Sequence, residues 1–391
     1  MKKSSSNIPS GYKPSPLGPI PEDWEVKRLG EICTHFKSGN TITSKEINED
    51  GLYPVYGGNG LRGYSNTFTH EGDFILIGRQ GALCGNINYV EGRNYISEHA
   101  IAVQTDENMQ WLKYKLENWN LNRFSESSAQ PGLSVEKLVR YKLVIPTRLE
   151  QNKIADILQL WDTAIAKQTT LIEKLTLRKR GLMQQLLTGK KRLKGFCGEW
   201  KKIKFKEIFQ RKTQTVNDSS NIQVLSVTKE GIVSQKEYFN KEIASDDTSK
   251  YLLVEKGDLA MSGLNFWMGS CHILTQYKKG IISPAYKVFS IRDGFSIEYI
   301  VNFVQSYNFK SSLLGSSVIG ASIVRRNLDL EMLEEWTYSL PSLPEQEAIS
   351  DILTYADKEI EIQKQKLAAM QAQKKGLMQV LLTGKKRIIS I

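Results

Sequence analysis

The chain contains part of itself twice, and that duplication limits its architecture more than any other feature. Glu150-Gln151 returns as Glu345-Gln346, Asp156-Ile157-Leu158 as Asp351-Ile352-Leu353, and Gly181-Leu182-Met183-Gln184 as Gly376-Leu377-Met378-Gln379. Leu186-Leu187-Thr188-Gly189-Lys190-Lys191-Arg192 returns as Leu381-Leu382-Thr383-Gly384-Lys385-Lys386-Arg387, and each pair is 195 residues apart. One register held across so long a stretch is a duplication. Solenoid repeats recur roughly every 20–50 residues, so a period this long points to two domains.

The segments between the repeats correspond more loosely. Trp24 with Glu31-Ile32 matches Trp200 with Glu207-Ile208, Glu71-Gly72-Asp73-Phe74 matches Lys256-Gly257-Asp258-Leu259, and Ile145-Pro146 matches Leu340-Pro341. The expected organisation is a proline-rich leader (1–20), a variable domain (21–148), a constant helix (149–192), a second variable domain (193–342) and a second constant helix (343–391). Each variable segment has short β-like runs broken by glycine, such as Phe74–Ile77, Ala100–Val103, Gln223–Val227 and Tyr286–Phe289. Helical stretches follow them at Met109–Trp119 and Ile297–Leu313. Each domain therefore reads as α+β.

Each constant segment reads as one long helix. Pro146 and Pro344 stand ahead of them, and Gly189 and Gly384 stand where a C-terminal cap belongs, with basic residues following. Apolar residues recur three and four apart at Ile154, Leu158, Trp161, Ile165, Ile172 and Leu175, and at Ile349, Leu353, Ile360, Leu367 and Met370. Gln168 and Lys179 interrupt the first seam where Gln363 and Lys374 interrupt the second. A sustained heptad seam predicts a coiled coil, and polar seam residues fix its register. Connectivity predicts antiparallel pairing, because parallel helices would make the second variable domain span a helix of roughly 57 Å. The resulting molecule is expected to be pseudo-two-fold and quasi-circular, with the two variable domains at opposite ends.

Composition narrows the function classes. No apolar run approaches the roughly 20 residues of a membrane span, and the basic Met1–Asn7 has no apolar stretch behind it, so neither a span nor a signal peptide is expected. Cys33, Cys84, Cys197 and Cys271 and the four histidines are scattered, which predicts packed thiols, structural imidazoles, no metal site and a reducing cytoplasm. Gly57-Gly58-Asn59-Gly60-Leu61-Arg62-Gly63 lacks the lysine and hydroxyl of a phosphate loop and reads as a turn. A nuclease reading of Asp23, Glu25 and Lys27 finds no second acidic partner, and its copy, Trp200-Lys201-Lys202, loses the pattern. No catalytic constellation is expected. A coiled-coil scaffold that binds only proteins is the other alternative.

Candidate working residues lie in loops. Asn59, Arg62, Arg79 and Gln80 crowd glycine-rich turns of the first domain, and Asn265, Trp267, Arg325 and Arg326 those of the second. Arginine and amide side chains are the ones that read base edges.

The repeated block Glu-Gln-x-x-Ile-x-Asp-Ile-Leu followed by Gly-Leu-Met-Gln-x-Leu-Leu-Thr-Gly-Lys-Lys-Arg resembles the specificity subunit of type I restriction–modification systems. Tyr53-Pro54-Val55-Tyr56-Gly57 and Glu71-Gly72-Asp73 through Gly78-Arg79-Gln80-Gly81 are similar to that family's first target-recognition domain. The resemblance implies a non-catalytic subunit that reads double-stranded DNA, each domain taking one half of a bipartite site. It further implies two methylation subunits using S-adenosylmethionine and two motor-nuclease subunits using ATP and magnesium, with no cofactor in this chain. Met261-Ser262-Gly263-Leu264-Asn265 replaces Ile77-Gly78-Arg79-Gln80 and loses the arginine, so the two half-sites are expected to differ.

The net charge of +11 is unevenly spread. Residues 149–196 carry ten basic and four acidic groups and 344–391 carry eight and six, which leaves the variable domains nearly neutral. Much of the affinity for the DNA backbone is therefore expected to come from partner subunits, with this chain supplying selectivity.

Overall fold

The computed structural model describes residues 8–81, 83–125, 132–216, 222–239, 248–319 and 326–388. It divides into two compact units, Met1–Thr169 with Gln365–Ile391, and Thr170–Lys364. Each unit combines one variable segment with the first part of one long helix and the last part of the other.

The long helices, Arg148–Leu186 and Leu343–Leu381, have 39 residues each, about 58 Å of rise. Pro146 precedes the first, as expected, but Pro344 is the second residue of the other helix. The first-turn N–H groups have no acceptor within the helix, so a proline there breaks no hydrogen bond. Both helices stop short of 192 and 391. Gly189 and Gly384 adopt φ of +70° and +74°, and the N–H groups of Lys191 and Lys386 turn back to the carbonyls of Gln185 and Val380, each at 3.1 Å.

Within each unit the helix segments run antiparallel. In the first, Glu150 meets Arg387 while Asp162, three turns on, meets Lys374, three and a half turns back. In the second, Glu345 meets Arg192 while Asp357 and Glu359 meet Lys179 and Arg178. These contacts exchange under the 195-residue offset: Lys179–Asp357 in one unit is Lys374–Asp162 in the other. The two lysines that interrupt the apolar seam therefore serve as cross-helix ion pairs.

Along the first unit's seam Ile154, Leu158 and Gln168 are buried, and Trp161, Ile165, Leu367, Met370 and Lys374 are half-buried. In the second, Leu175, Ile349, Leu353 and Ile360 are buried, and Ile172, Lys179 and Gln363 half-buried. The Asp162 carboxyl is disfavoured as an anion by burial, yet hydrogen bonds from Lys374 and Tyr114 outweigh this and hold it below the usual aspartate range.

The variable segments share one sheet. In the first unit the strand order is Cys33–Ser38, Ala100–Thr105, Phe74–Gly78, Ile87–Val90, all antiparallel. The second unit repeats it as Phe209–Lys212, Tyr286–Ile291, Leu259–Ser262, Cys271–Ile273. One face of each sheet packs on the long helices: Ile75, Ile77, Ile101 and Val103 join Ile154, Leu158, Leu381 and Leu382. In the copy, Leu259, Met261 and Phe289 join Ile349, Leu353, Leu186 and Leu187. A second sheet in the first unit pairs Tyr53–Gly57 with Gly60–Ser65 and Arg93–Ile96.

The helix expected over Ile297–Leu313 is two helices, Ile297–Phe303 and Tyr307–Gly315. Ser306 divides them, its hydroxyl accepting from the Phe309 N–H at 3.3 Å and starting the second helix as an N-cap. Among the described residues no helix is long and apolar enough to cross a membrane.

Lys115, on the helix Met109–Trp119, is the one deeply buried lysine in the hydrophobic core of the described residues. Its ammonium donates to the Leu382 carbonyl at 2.6 Å, and burial pushes its pKa down to about 7. Below that value both folded and unfolded chains are protonated, and the folded chain bears the cost of the buried charge. Between about 7 and the ordinary lysine value of about 10.4 only the unfolded chain stays protonated, so stability rises with pH. Lys115→Met is expected to remove up to about 1.4 kcal/mol per pH unit of that slope. Urea denaturation at pH 7, 8, 9 and 10 measures it; parallel lines for the two proteins would contradict the assignment.

Candidate nucleic-acid interface

In the first unit three turns converge. The strands Tyr53–Gly57 and Gly60–Ser65 are joined at Gly58-Asn59. A Cβ on Gly58 would lie 2.9 Å from the His99 carbonyl and 3.3 Å from Gly78 Cα, so this turn packs backbone to backbone against the turns after Gly78 and before Ala100. Glycine is needed because nothing larger fits. Asn59 and Gln80 are exposed and Arg79 half-buried on the resulting rim. The Arg62 stem lies over Gly57, whose added Cβ would meet Arg62 Cδ at 2.7 Å. Arg62 sits on a strand and not in the turn, but it reaches the same rim. The Arg79 backbone is tied on both sides, its N–H to the His99 carbonyl and its carbonyl to the Leu133 N–H, each at 2.9 Å.

The second unit repeats one backbone contact of this arrangement and changes the side chains. The Gly263 N–H donates to the Ala285 carbonyl at 3.0 Å, the counterpart of Arg79 to His99. Asn265 is exposed at the start of the short turn Phe266–Met268, and Trp267 is half-buried. The Arg326 guanidinium lies 5.7 Å from the Trp267 ring centre and donates to the Ser317 hydroxyl at 3.1 Å. Arg326 belongs to a strand paired with Ser317–Ile319, not to a glycine-rich turn. Trp267 Nε1 is buried with no hydrogen-bond partner among the described residues. Arg325 lies outside the described residues.

Sequence reasoning passed over Glu98 and His99. They sit on the turn that Gly58 packs against, and their only sequence signal is a Ser-Glu-His break between two β-like runs. His99 Nδ1 lies 3.3 Å from Gln80 Oε1, and His99 Nε2 lies 3.3 Å from Glu98 Oε1.

The Asp23–Lys27 cluster is engaged in structure. Asp23 accepts from Arg387 at 2.7 Å, and Glu25 pairs with Lys27 at 2.9 Å on the surface. No group of three or more metal-ligating side chains occurs among the described residues. Burial raises the Cys33 thiol to about 12 and raises Cys271 further, so both are packed and protonated. Cys197, expected to be packed, is exposed, because the connection after the first long helix runs over the surface. His35 and His70 pack edge-on against Phe74, with ring centres 5.6 and 5.0 Å away.

The repeated motif residues meet in one clamp per unit. Trp24 Nε1 donates to Glu150 at 2.8 Å, and Arg387 grips the same carboxylate through Nε and Nη2 at 2.9 and 2.8 Å. In the copy, Arg192 holds Glu345 at 2.6 and 2.7 Å, with Trp200 Nε1 at 3.3 Å. Gln151 and Gln346 donate to the carbonyls of Pro146 and Pro341, each at 3.0 Å. In the second unit the arginine and tryptophan of the clamp lie on one continuous stretch from Leu186 to Trp200, and Glu345 comes from the start of the other long helix. In the first unit the chain termini close it, and the Tyr12 hydroxyl donates to the Gly384 carbonyl at 2.7 Å.

The model of the type I restriction modification DNA specificity domain matches residues 21–177. The EcoprrI specificity subunit of Escherichia coli is 44% identical over 172 residues, a match that spans 42% of each chain. The MjaVIII specificity subunit of Methanocaldococcus jannaschii is 25% identical over 94% of both chains. The fold is similar to that of the S subunit from M. genitalium, with a TM-score of 0.54, 14% identity and coverage of 92% of this chain and 96% of that one. It is also similar to a chain from a structure addressing complex assembly and conformational transition of the type I system, with a TM-score of 0.59, 13% identity and coverage of 94% and 99%.

Proposed function

Because the chain belongs to the DNA specificity subunits of type I restriction–modification systems, a non-catalytic part of an enzyme complex, we propose that its two units read the two halves of one bipartite, asymmetric DNA site. Asn59, Arg62, Arg79 and Gln80 read one half-site, and Asn265, Trp267, Arg325 and Arg326 read the other. The observation that carries this reading is the pairing of identical clamps with unlike rims. Both units hold the Glu–Arg–Trp clamp and the same sheet order, yet beside an asparagine in each, one rim presents two arginines and a glutamine and the other tryptophan and arginine. A shared frame with different polar groups suits two different base sequences.

The paired helices set the spacing between the half-sites and dock two methylation subunits, which bring S-adenosylmethionine. Two motor-nuclease subunits bring ATP and magnesium, and the complex works on DNA in the cytoplasm. The working unit is the complex, since the nearly neutral variable domains leave most backbone contacts to partners.

Methylated-base mapping of DNA from cells that carry this chain with its cognate methylation subunit tests the reading. The expected result is one bipartite motif with unlike halves, methylated on adenine. A continuous or symmetric motif, or no motif, would contradict it. Arg79→Ala is expected to weaken discrimination at one base pair of one half by about tenfold.

A further inference from the structure

We propose that Glu98 and His99 form a relay that fixes the Gln80 side-chain amide, which makes His99 a positioning residue for base selection in one half-site. The inference rests on the reading of the first unit's rim as a base-reading surface.

The relay begins in the backbone. The turn Ser97–His99 is anchored by the Ser97 N–H to the Tyr56 carbonyl at 2.8 Å and the Glu98 N–H to the Asn40 carbonyl at 3.1 Å. The Ala100 N–H closes it on the Ser97 carbonyl at 3.0 Å. Glu98 is fixed in turn, because one carboxylate oxygen accepts from the Ile42 N–H at 3.3 Å. Its other oxygen lies 3.3 Å from His99 Nε2, which leaves Nδ1 on the far side of the ring, 3.3 Å from Gln80 Oε1. Three side chains thus run from the backbone N–H of Ile42 to an exposed amide.

An exposed glutamine rotates freely about its last torsion, and ordering it on binding costs affinity and selectivity. Held to the ring nitrogen Nδ1 by one of its two polar atoms, the Gln80 amide turns the other away from the ring. That atom is the one Gln80 offers to a base edge, so the relay gives the amide one polarity toward the DNA.

The second unit supports a specific role over a structural one. Its equivalent turn, Ser283-Pro284-Ala285, repeats the closing bond and the bond to the neighbouring strand end, with the Tyr286 N–H on the Ser283 carbonyl and the Gly263 N–H on the Ala285 carbonyl, each at 3.0 Å. Pro284, at the place of Glu98, has no N–H to give. The turn therefore closes without the Glu98 and His99 side chains.

The test uses the complex of the full chain with its methylation subunit. Three variants, His99→Ala, His99→Asn and Gln80→Ala, are compared by methylated-base mapping and by competition binding with single-base changes in the mapped site. His99→Ala and Gln80→Ala are expected to lose about tenfold discrimination at the same base pair of one half-site. His99→Asn is expected to retain it, because the Asn side-chain amide, with both a donor and an acceptor, can hold the Gln80 amide from near the place of Nδ1. The other half-site is expected to stay unchanged in all three, which also reports a folded chain. Relaxation by Gln80→Ala with none from His99→Ala would overturn the relay while leaving the rim as the reading surface. Unchanged discrimination in both, and in Arg79→Ala, would overturn the reading of the rim itself. Equal relaxation by His99→Asn and His99→Ala would overturn the hydrogen bond as the cause.

Discussion

Exchange of residues 1–148 for those of a relative with a different target is expected to rewrite one half of the recognised sequence and leave the other half and the spacing unchanged. The physical basis is the separation of frame from rim. Everything on the first rim, from Asn59 to His99, lies inside the exchanged segment. Of the clamp, only Trp24 and Asp23 travel with it, while Glu150 and Arg387 remain. A relative with tryptophan at the matching place therefore docks on the same carboxylate. Each mismatched base pair costs about 1–3 kcal/mol, roughly additively, so a half-site of three bases amounts to at least about a hundredfold loss on the original sequence. Methylated-base mapping before and after the exchange reads the result directly. A change in both halves would sink the modular model.

The second large effect is on stability. Glu150→Ala is expected to destabilise the first unit by about 3 kcal/mol, because it strands the Trp24 indole N–H and takes the two-pronged partner from Arg387, leaving it only Asp23 among the described residues. Trp24 is fully buried, so its indole N–H has no access to water once its acceptor is gone. Arg387 is about a quarter exposed, which keeps the loss toward the lower end for a broken ion pair. For a unit of this size, about 3 kcal/mol corresponds to a drop of roughly 6–12 °C in the unfolding midpoint. Glu150→Gln keeps an acceptor and is expected to lose less than half as much. Glu345→Ala is expected to destabilise the second unit by less, because Trp200 is only half-buried and its indole N–H can reach water. Calorimetry of the three variants measures this, and a midpoint for Glu150→Ala within a degree of the parent would remove the clamp from the account. Gly384 belongs to the same design: its φ is +74°, and an added Cβ would press on Pro21 at 2.8 Å and Trp24 at 3.0 Å.

The periodic parts of the molecule were legible in the sequence. The long helices, the seam residues and the glycines that end the helices follow from spacing and local stereochemistry, and so does the helix Met109–Trp119. The pattern over Ile297–Leu313 reads as one helix because its apolar residues run on without a break, whereas the Ser306 cap divides it. On the rim, glycine and arginine marked Asn59, Arg62, Arg79 and Gln80, but nothing in the pattern marked Glu98 or His99. Their significance comes from which turn Gly58 touches, and that is a non-local fact.

By itself the sequence determined the duplication, the two long helices, the family resemblance and the unlike character of the two variable domains. Those properties reside in periodicity and in residue identity, which a chain carries before it folds. Only the tertiary structure decided why Glu-Gln, Trp and Gly-Lys-Lys-Arg repeat together. Glu150 and Arg387 are 237 positions apart, yet they share one carboxylate–guanidinium fork with Trp24. No local pattern encodes that meeting. A hydrogen bond depends on where folding delivers the two groups, and here the delivery is by helices that run in opposite directions within each unit.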